Sequence, residues 1–183
     1  MSSSPHPPGP PAGRIAVVDG ENRFVRWTDR AEIHSARLPH RTVHILLFDR
    51  RGRLLLQRRH DGKLTDPGRW DLSASGHVEE ADYLGGPDER LDEVYAAVAR
   101  RELAEELGVV AALEPAGAFA PAPGVHYEHI RLYRGVSDGP FVLQVDEVAA
   151  IAHVTPAELR ARLAGPEPHT AFLRFAVAAG LCD

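Results

Sequence analysis

Apolar residues in this chain gather in short runs separated by turn formers, and the runs begin at Arg14. IAVVD and RFVRWTD flank Gly20-Glu21-Asn22, a spacing that predicts a hairpin. Ala31 to Ala36 reads as one helical turn that ends before Leu38-Pro39. TVHILLFD and RLLLQRR stand on either side of Arg50-Arg51-Gly52 and predict a second hairpin, its strands rich in leucine and β-branched residues. Asp66-Pro67-Gly68 marks a turn, and WDLSASG after it predicts a further short strand ending at Gly76. Between Leu91 and Leu107 the residues are Ala, Glu, Arg and Leu for the most part, all strong helix formers, and the run stops at Gly108, where a left-handed cap is expected. Strands follow around Ala116 to Ala120, His129 to Val136 and Ala149 to Val154. Thr155 as N-cap with Pro156 in the first position starts a helix to about Leu163, and a last helix covers Ala171 to Ala179.

Strands, one central helix, more strands and closing helices predict an α/β (α+β) fold in which helices cover a mixed sheet. With 183 residues, 44% of them hydrophobic, the chain has material for one core. The expected organisation is a single globular domain over 14–183 after a disordered Pro- and Ser-rich tail over 1–13. A net charge of −5 without a dense Lys/Arg block argues against duplex nucleic acid or an anionic membrane as partner. A small anionic substrate would then need a local basic pocket or a metal ion. Cys182 is the one cysteine, which rules out an intrachain disulfide and fits a reducing cytoplasm. MSSSPHPPGPPAG lacks the charged start and apolar run of a signal peptide, and no stretch approaches the ~20 apolar residues of a membrane helix. A soluble, cytoplasmic protein is expected.

The central helix concentrates carboxylates. Glu102, Glu105 and Glu106 stand at i+3 and i+4 spacings, so their side chains share one stripe, while Leu103 and Leu107 turn toward the core. Like charges so placed cost an isolated helix roughly a few tenths of a kcal/mol, and Arg101 alone stands beside them. One reading is a solvated acidic face. The other is a ligand set for a hard divalent cation, Mg²⁺ or Mn²⁺, which completes its shell with water and phosphate oxygens.

The letters around the stripe favour the second reading. Arg101-Glu102-Leu103-Ala104-Glu105-Glu106-Leu107-Gly108-Val109 reproduces the second half of the Nudix box, in which Gly, five residues, Glu and seven residues precede Arg-Glu-apolar-x-Glu-Glu-x-Gly-apolar. Counting back seven residues from Arg101 reaches Glu93, but the glycine that matches best is Gly76, and sixteen residues separate the two where five are usual. Either Glu93 is the first glutamate of the box and the loop before it is longer by eleven residues, or Asp82 fills that position and the insertion follows it.

The wider pattern, LPHRTVHILLFDRRGRLLLQRR with Lys63, Pro67-Gly68-x-Trp70 and Ser75-Gly76-His77, resembles the branch of the Nudix hydrolase superfamily related to isopentenyl-diphosphate isomerase. That isomerase uses a cysteine before the Gly-His pair, histidine metal ligands and a later Glu-x-Glu; here Ser75 holds the cysteine position and Glu128-His129-Ile130 supplies one glutamate. The resemblance therefore implies a hydrolase with a Nudix-type α/β/α sandwich and a central catalytic helix. It implies Mg²⁺, with Mn²⁺ as an alternative, bound by Glu102, Glu105, Glu106 and the Gly76 carbonyl. The substrate class it implies is a nucleoside diphosphate bonded to another group and cleaved by water, with Glu102 the first choice for general base. Arg101 would orient Glu105. Arg58, Arg59 and Lys63 are candidate diphosphate ligands, and Glu93, Glu128 and Glu147 are accessory candidates. His40, His44 and His77 are expected to be structural or polar lining, and the long loop after Gly76 is expected beside the substrate.

Overall fold

A computed structural model describes residues 13–183, so the tail expected over 1–13 lies, apart from Gly13, outside the described residues. The organising element is the strand β3 (His40–Phe48), buried along its whole length. One edge of β3 pairs in parallel with β8 (Glu128–Val136), from His40 opposite Glu128 to Phe48 opposite Val136. Its other edge is shared in succession by three antiparallel neighbours: β1 (Ile15–Val18) at His40, β6 (Ala74–His77) from Thr42 to Ile45, and β4 (Leu54–Arg59) at Phe48. β2 (Phe24–Thr28) completes the first hairpin with β1. β7 (Leu113–Phe119) lies outside β8, while β4 leaves β3 after Leu54 and pairs with β9 (Val148–Val154). The second hairpin is thus real at its turn and splayed beyond it.

Strand alternation sorts the sheet into two faces. Val43, Ile45 and Leu47 point toward α2 (Leu91–Leu107) and pack with Val94, Val98, Leu103 and Leu107. Leu46 and Phe48 point the other way, into a cluster closed by Leu159 of α3 (Pro156–Ala164) and Phe172, Leu173 and Ala176 of α4 (Ala171–Ala178). Each large apolar side chain buried there contributes about 1.5–3 kcal/mol relative to leaving it exposed. The result is a mixed sheet between helices. The helix ends follow local chemistry: Gly108 takes φ of 66° after α2, Thr155 and Glu158 form a capping box, and Thr170 accepts from Leu173 N–H. Ahead of β3, the expected helical turn is α1 (Arg30–Ser35), capped by Asp29.

Two expectations change. WDLSASG does not form one strand: β5 (Trp70–Asp71) pairs with β4, and β6 pairs with β3. Ser73 makes the switch, its Oγ donating to Leu55 O at 2.6 Å and accepting Leu47 N–H at 2.8 Å. The long loop after Gly76 contains a 3-10 turn at Glu80–Asp82 and then folds back over the first hairpin. Arg41 on β3 holds it there. This side chain is fully buried, and its guanidinium donates to Asn22 Oδ1 at 2.9 Å, Asn22 O at 2.6 Å, Tyr83 Oη at 3.1 Å, Asp88 Oδ1 at 2.6 Å and the Pro87 carbonyl. Asp88 also accepts Phe24 N–H at 3.0 Å. A buried guanidinium is tolerated only when its donors are satisfied in this way.

Candidate active site

Strand and helix periodicity meet at Gly76. It stands opposite Val43, so it shares the sheet face covered by α2, and the Glu102 carboxylate lies directly against it. A Cβ on Gly76 would fall inside that carboxylate, which is why the position needs glycine. One turn later Glu106 is buried, with Oε2 accepting from Ser75 N–H at 3.2 Å and from Gln57 Nε2 at 3.0 Å. Glu105 is more exposed and takes Nη1 of Arg101 at 3.1 Å. The same Nη1 lies 2.9 Å from Glu102 Oε1, and Nη2 lies 3.1 Å from Asp82 Oδ2. All three helix carboxylates line one polar cavity of about 160 Å³, together with Arg30, Lys63, Ser75 and Glu147.

These carboxylates are only partly neutralised by the cations beside them. Burial pushes Glu102 up to about 8 despite Arg101, with Glu106 and Glu105 adding to the rise. Burial likewise pushes Glu106 up to about 7, against Lys63 and the hydrogen bonds from Ser75 and Gln57. The nearby cations are shared elsewhere, Lys63 with Glu147 and Arg101 with Asp82. Oxygen donors clustered around a polar cavity, with carboxyl groups held short of full ionisation, fit a hard divalent cation such as Mg²⁺ or Mn²⁺.

A larger cavity of about 410 Å³ adjoins this one, sharing Arg30, Lys63, Ser75, His77 and Glu147 with it. Its inner wall is the second face of the sheet: His40, Thr42 and His44 at alternate positions of β3, Ser75 and His77 on β6, Glu128 on β8. Burial works to raise the Glu128 pKa, but the imidazoles of His44, His40 and His126 outweigh it and hold the group at about 2. Glu128 is therefore ionised. Five buried polar atoms on this wall have no hydrogen-bond partner among the described residues: His40 Nε2, Thr42 Oγ1, His44 Nδ1, His77 Nε2 and His126 Nε2. One ligand atom each from His40, His77 and Glu128 lie within 4.8 Å of one another, a second donor set that could hold an ion.

A family model described as NUDIX domain matches residues 38–175. The chain belongs to the Nudix family. YfcD of Salmonella typhi, an uncharacterized Nudix hydrolase, is 36% identical over 155 residues, which cover 81% of this chain and 75% of that protein. Isopentenyl-diphosphate Delta-isomerase 2 of Photorhabdus laumondii is 28% identical over 166 residues, covering 87% of this chain and 88% of the isomerase. The crystal structure of DR0079 from Deinococcus radiodurans superimposes with a TM-score of 0.74 at 24% identity, covering 91% of this chain and 98% of that one. That likeness shows a shared fold.

Within this Nudix domain the residues expected at the site divide. Arg101, Glu102, Glu105, Glu106, Lys63 and Glu147 come together around the smaller cavity, and Gly76, packed against Glu102, lines the larger one with Arg59 and Glu128. Arg58 lines neither, because it alternates away from Arg59 and pairs with Asp61 at 2.9 Å. Glu93 also stands apart, exposed in the first turn of α2 and paired with Arg90. Of the two carboxylates that could open the Nudix box, Asp82 is the one in contact with Arg101. The loop was expected beside the substrate, yet none of Glu80 to Asp92 lines either cavity; Arg41 draws it to the hairpin instead. His40, His44 and His77 are polar lining, as expected, although His40 and His77 also belong to the second donor set. Sequence reading missed Gln57 and Arg30. Gln57 was detectable as a polar residue at a core-facing position of RLLLQRR, whereas nothing local marked Arg30.

Proposed function

We propose that this Nudix protein is a Mg²⁺-dependent hydrolase that cleaves the diphosphate linkage of a nucleoside di- or triphosphate, or of another nucleoside diphosphate derivative, by attack of water on phosphorus. The observation that carries this reading is the buried, under-neutralised pair Glu102 and Glu106 packed against Gly76 and Ser75 at the mouth of a second cavity. A bound divalent cation would neutralise phosphate oxygens and lower the pKa of a water molecule. The chain's own residues do the rest. Glu102, Glu105, Glu106 and the Gly76 carbonyl would hold the cation, and Glu106, fixed through Oε2 by Ser75 and Gln57, has Oε1 left for that role. Glu102, through the oxygen not engaged by the cation, would take the proton from the attacking water. Arg101, tied to Asp82, keeps Glu102 and Glu105 in place. Lys63 and Arg59 meet phosphate from the side of the larger cavity, whose size suits a small-molecule substrate.

The isomerase is the second reading, supported by the His40, His77 and Glu128 set and by the 28% identity to the Photorhabdus enzyme. Ser75 stands where the isomerase has its cysteine, and Ile130, where the second glutamate would be, is buried in the apolar cluster. A cavity wall with five unpartnered polar atoms also suits a prenyl chain poorly. The test is a substrate panel with Mg²⁺: nucleoside di- and triphosphates, nucleotide sugars, dinucleoside polyphosphates, coenzyme A and isopentenyl diphosphate. Phosphate, pyrophosphate or nucleoside monophosphate release from a nucleotide is expected. An isomerised prenyl diphosphate without phosphate release would reverse the choice.

A further inference from the structure

We infer that Thr42, His44 and His126 form a selectivity wall for the part of the substrate beyond its phosphates, accepting hydrogen bonds from sugar hydroxyls or from a base amino group, an inference that rests on the hydrolase reading above. The face of β3 turned toward α4 changes character part-way along the strand. Leu46 and Phe48 pack into the apolar cluster, whereas Thr42 and His44, on the same face, line the larger cavity. Phe172 marks the boundary: it belongs to the cluster and also lines the cavity, with its ring centroid 4.4 Å from that of His44 and 5.5 Å from that of His126. All three polar residues are more than nine-tenths buried, yet Thr42 Oγ1, His44 Nδ1 and His126 Nε2 have no hydrogen-bond partner among the described residues. A valine would fill the place of Thr42 without leaving a polar atom unpaired, so packing does not explain the polarity of this wall.

The neighbours of these atoms assign what each offers. His44 Nε2 lies 3.6 Å from Glu128 Oε2, and the carboxylate draws the proton of the neutral ring to Nε2, which leaves Nδ1 with its lone pair. His126 Nδ1 lies 3.1 Å from Glu128 O and 3.4 Å from Glu128 N; the shorter contact is with the acceptor, so Nδ1 carries the proton and Nε2 accepts. Thr42 Oγ1 accepts as readily as it donates. A phosphate at neutral pH or a hydrocarbon chain gives such a wall nothing, because neither brings the N–H or O–H donors it needs. A sugar brings neighbouring hydroxyls, and an exocyclic amino group of a base brings N–H donors, while Phe172 offers an apolar ring beside them. A site built to hydrogen-bond a substrate group rejects the analogue that lacks it, because the buried protein atoms are then left unpaired. The wall therefore separates nucleotides from prenyl and simple alkyl diphosphates by the chemistry of the group attached to the phosphates.

The test is calorimetric titration of the full chain in Mg²⁺ with methylenebisphosphonate, a diphosphate mimic that resists hydrolysis, and with α,β-methylene adenosine diphosphate, the same group carrying a nucleoside. Two analogues of the nucleoside compound complete the set, one without the ribose hydroxyls and one without the adenine amino group. The nucleoside compound should bind at least about 10-fold tighter than methylenebisphosphonate, and loss of the hydroxyls or of the amino group should weaken it about 5- to 10-fold, which tells the two donors apart. Thr42→Val, His44→Phe and His126→Leu should each weaken the nucleoside compound about 5- to 10-fold, leave methylenebisphosphonate unaffected, and cost less for the analogue that lacks the donor. His126→Gln, whose amide oxygen can accept in place of Nε2, should recover part of the loss. Thr42→Val keeps the side-chain volume and carries the expectation if either histidine variant does not fold. Equal binding of the nucleoside compound and both analogues by the unaltered protein overturns the assignment of the wall and leaves the hydrolase reading standing. No binding of any of these diphosphates in Mg²⁺ overturns the hydrolase reading, and this inference with it.

Discussion

Withdrawing divalent cations should make the protein progressively less stable as pH rises, the reverse of what paired carboxylates do. Glu102 and Glu106 hold their protons more tightly in the folded chain than in the unfolded one, where a glutamate titrates near 4.5. Their contribution to stability is therefore fully present below about 4.5 and is lost as pH rises through about 7 for Glu106 and about 8 for Glu102. At about 1.36 kcal/mol per pH unit between the two values, Glu102 alone costs the metal-free protein on the order of 5 kcal/mol by about pH 9, and Glu106 acts in the same direction. Between about pH 6 and about pH 9 the two groups together lose about 4 kcal/mol, and for a chain of this length roughly 2–4 °C is lost per kcal/mol, so the melting temperature should fall by roughly 8–16 °C over that window. His34, His40 and His77 are shifted downward by burial, so their contribution to stability rises with pH and works against the fall. Calorimetric melts in EDTA and in saturating Mg²⁺ measure the effect. The cation should remove most of the fall, and Glu102→Gln should flatten the metal-free profile and melt above the unaltered protein at the alkaline end. A metal-free melting temperature that does not fall with pH, or that falls as steeply in Glu102→Gln, refutes the claim that these carboxylates are buried and only partly neutralised.

Other perturbations separate the parts of the site. Glu106→Gln should lower Mg²⁺-dependent turnover at least about 100-fold while the far-ultraviolet circular dichroism spectrum stays native, and unchanged turnover would remove Glu106 from the ligand set. Gly76→Ala forces the Glu102 carboxylate off the strand and should weaken Mg²⁺ binding about 10- to 100-fold, read by calorimetric titration. Asp82→Ala should lower turnover about 10-fold, the low end for a residue supporting a metal ligand, whereas Glu93→Ala should leave it unchanged; equal effects would return the place in the box to both. Arg41→Met leaves the acceptors on Asn22, Pro87 and Asp88 unpaired and should cost about 3 kcal/mol in urea unfolding, and a loss near zero would show that the strap is not structural.

What was legible in the sequence is what local rules decide. The helix Leu91–Leu107 and its Gly108 cap follow from propensity and from the left-handed conformation at its end, and the grouping of Glu102, Glu105 and Glu106 follows from helical spacing. The strands of the second hairpin were equally clear, yet their separation after Leu54 was not, because it depends on β6 and β9 arriving from distant parts of the chain. WDLSASG looked continuous because nothing in its composition says that Ser73 will bond to both Leu47 and Leu55. The smaller cavity is half local and half not: the carboxylates belong to one helix, but Gln57, Lys63, Glu147 and Arg30 reach it only through the tertiary fold.

The insertion shows the same division most clearly. Spacing alone admits Glu93 or Asp82 as the carboxylate that answers Arg101, since each stands at a permitted distance from one half of the box. Geometry separates them. Asp82 lies in the 3-10 turn straight after β6 and reaches Arg101, whereas Glu93 is committed to Arg90 on the exposed start of α2. With Asp82 in that place, the additional residues follow the contact with Arg101, and the distance from Gly76 to Asp82 is the five residues usual in the box. They are free to pack elsewhere, and Tyr83, Pro87 and Asp88 do so on Arg41, a residue whose burial in a strand otherwise had no explanation. Through Asn22 the same guanidinium fixes the first hairpin, which leads directly into α1 and Arg30.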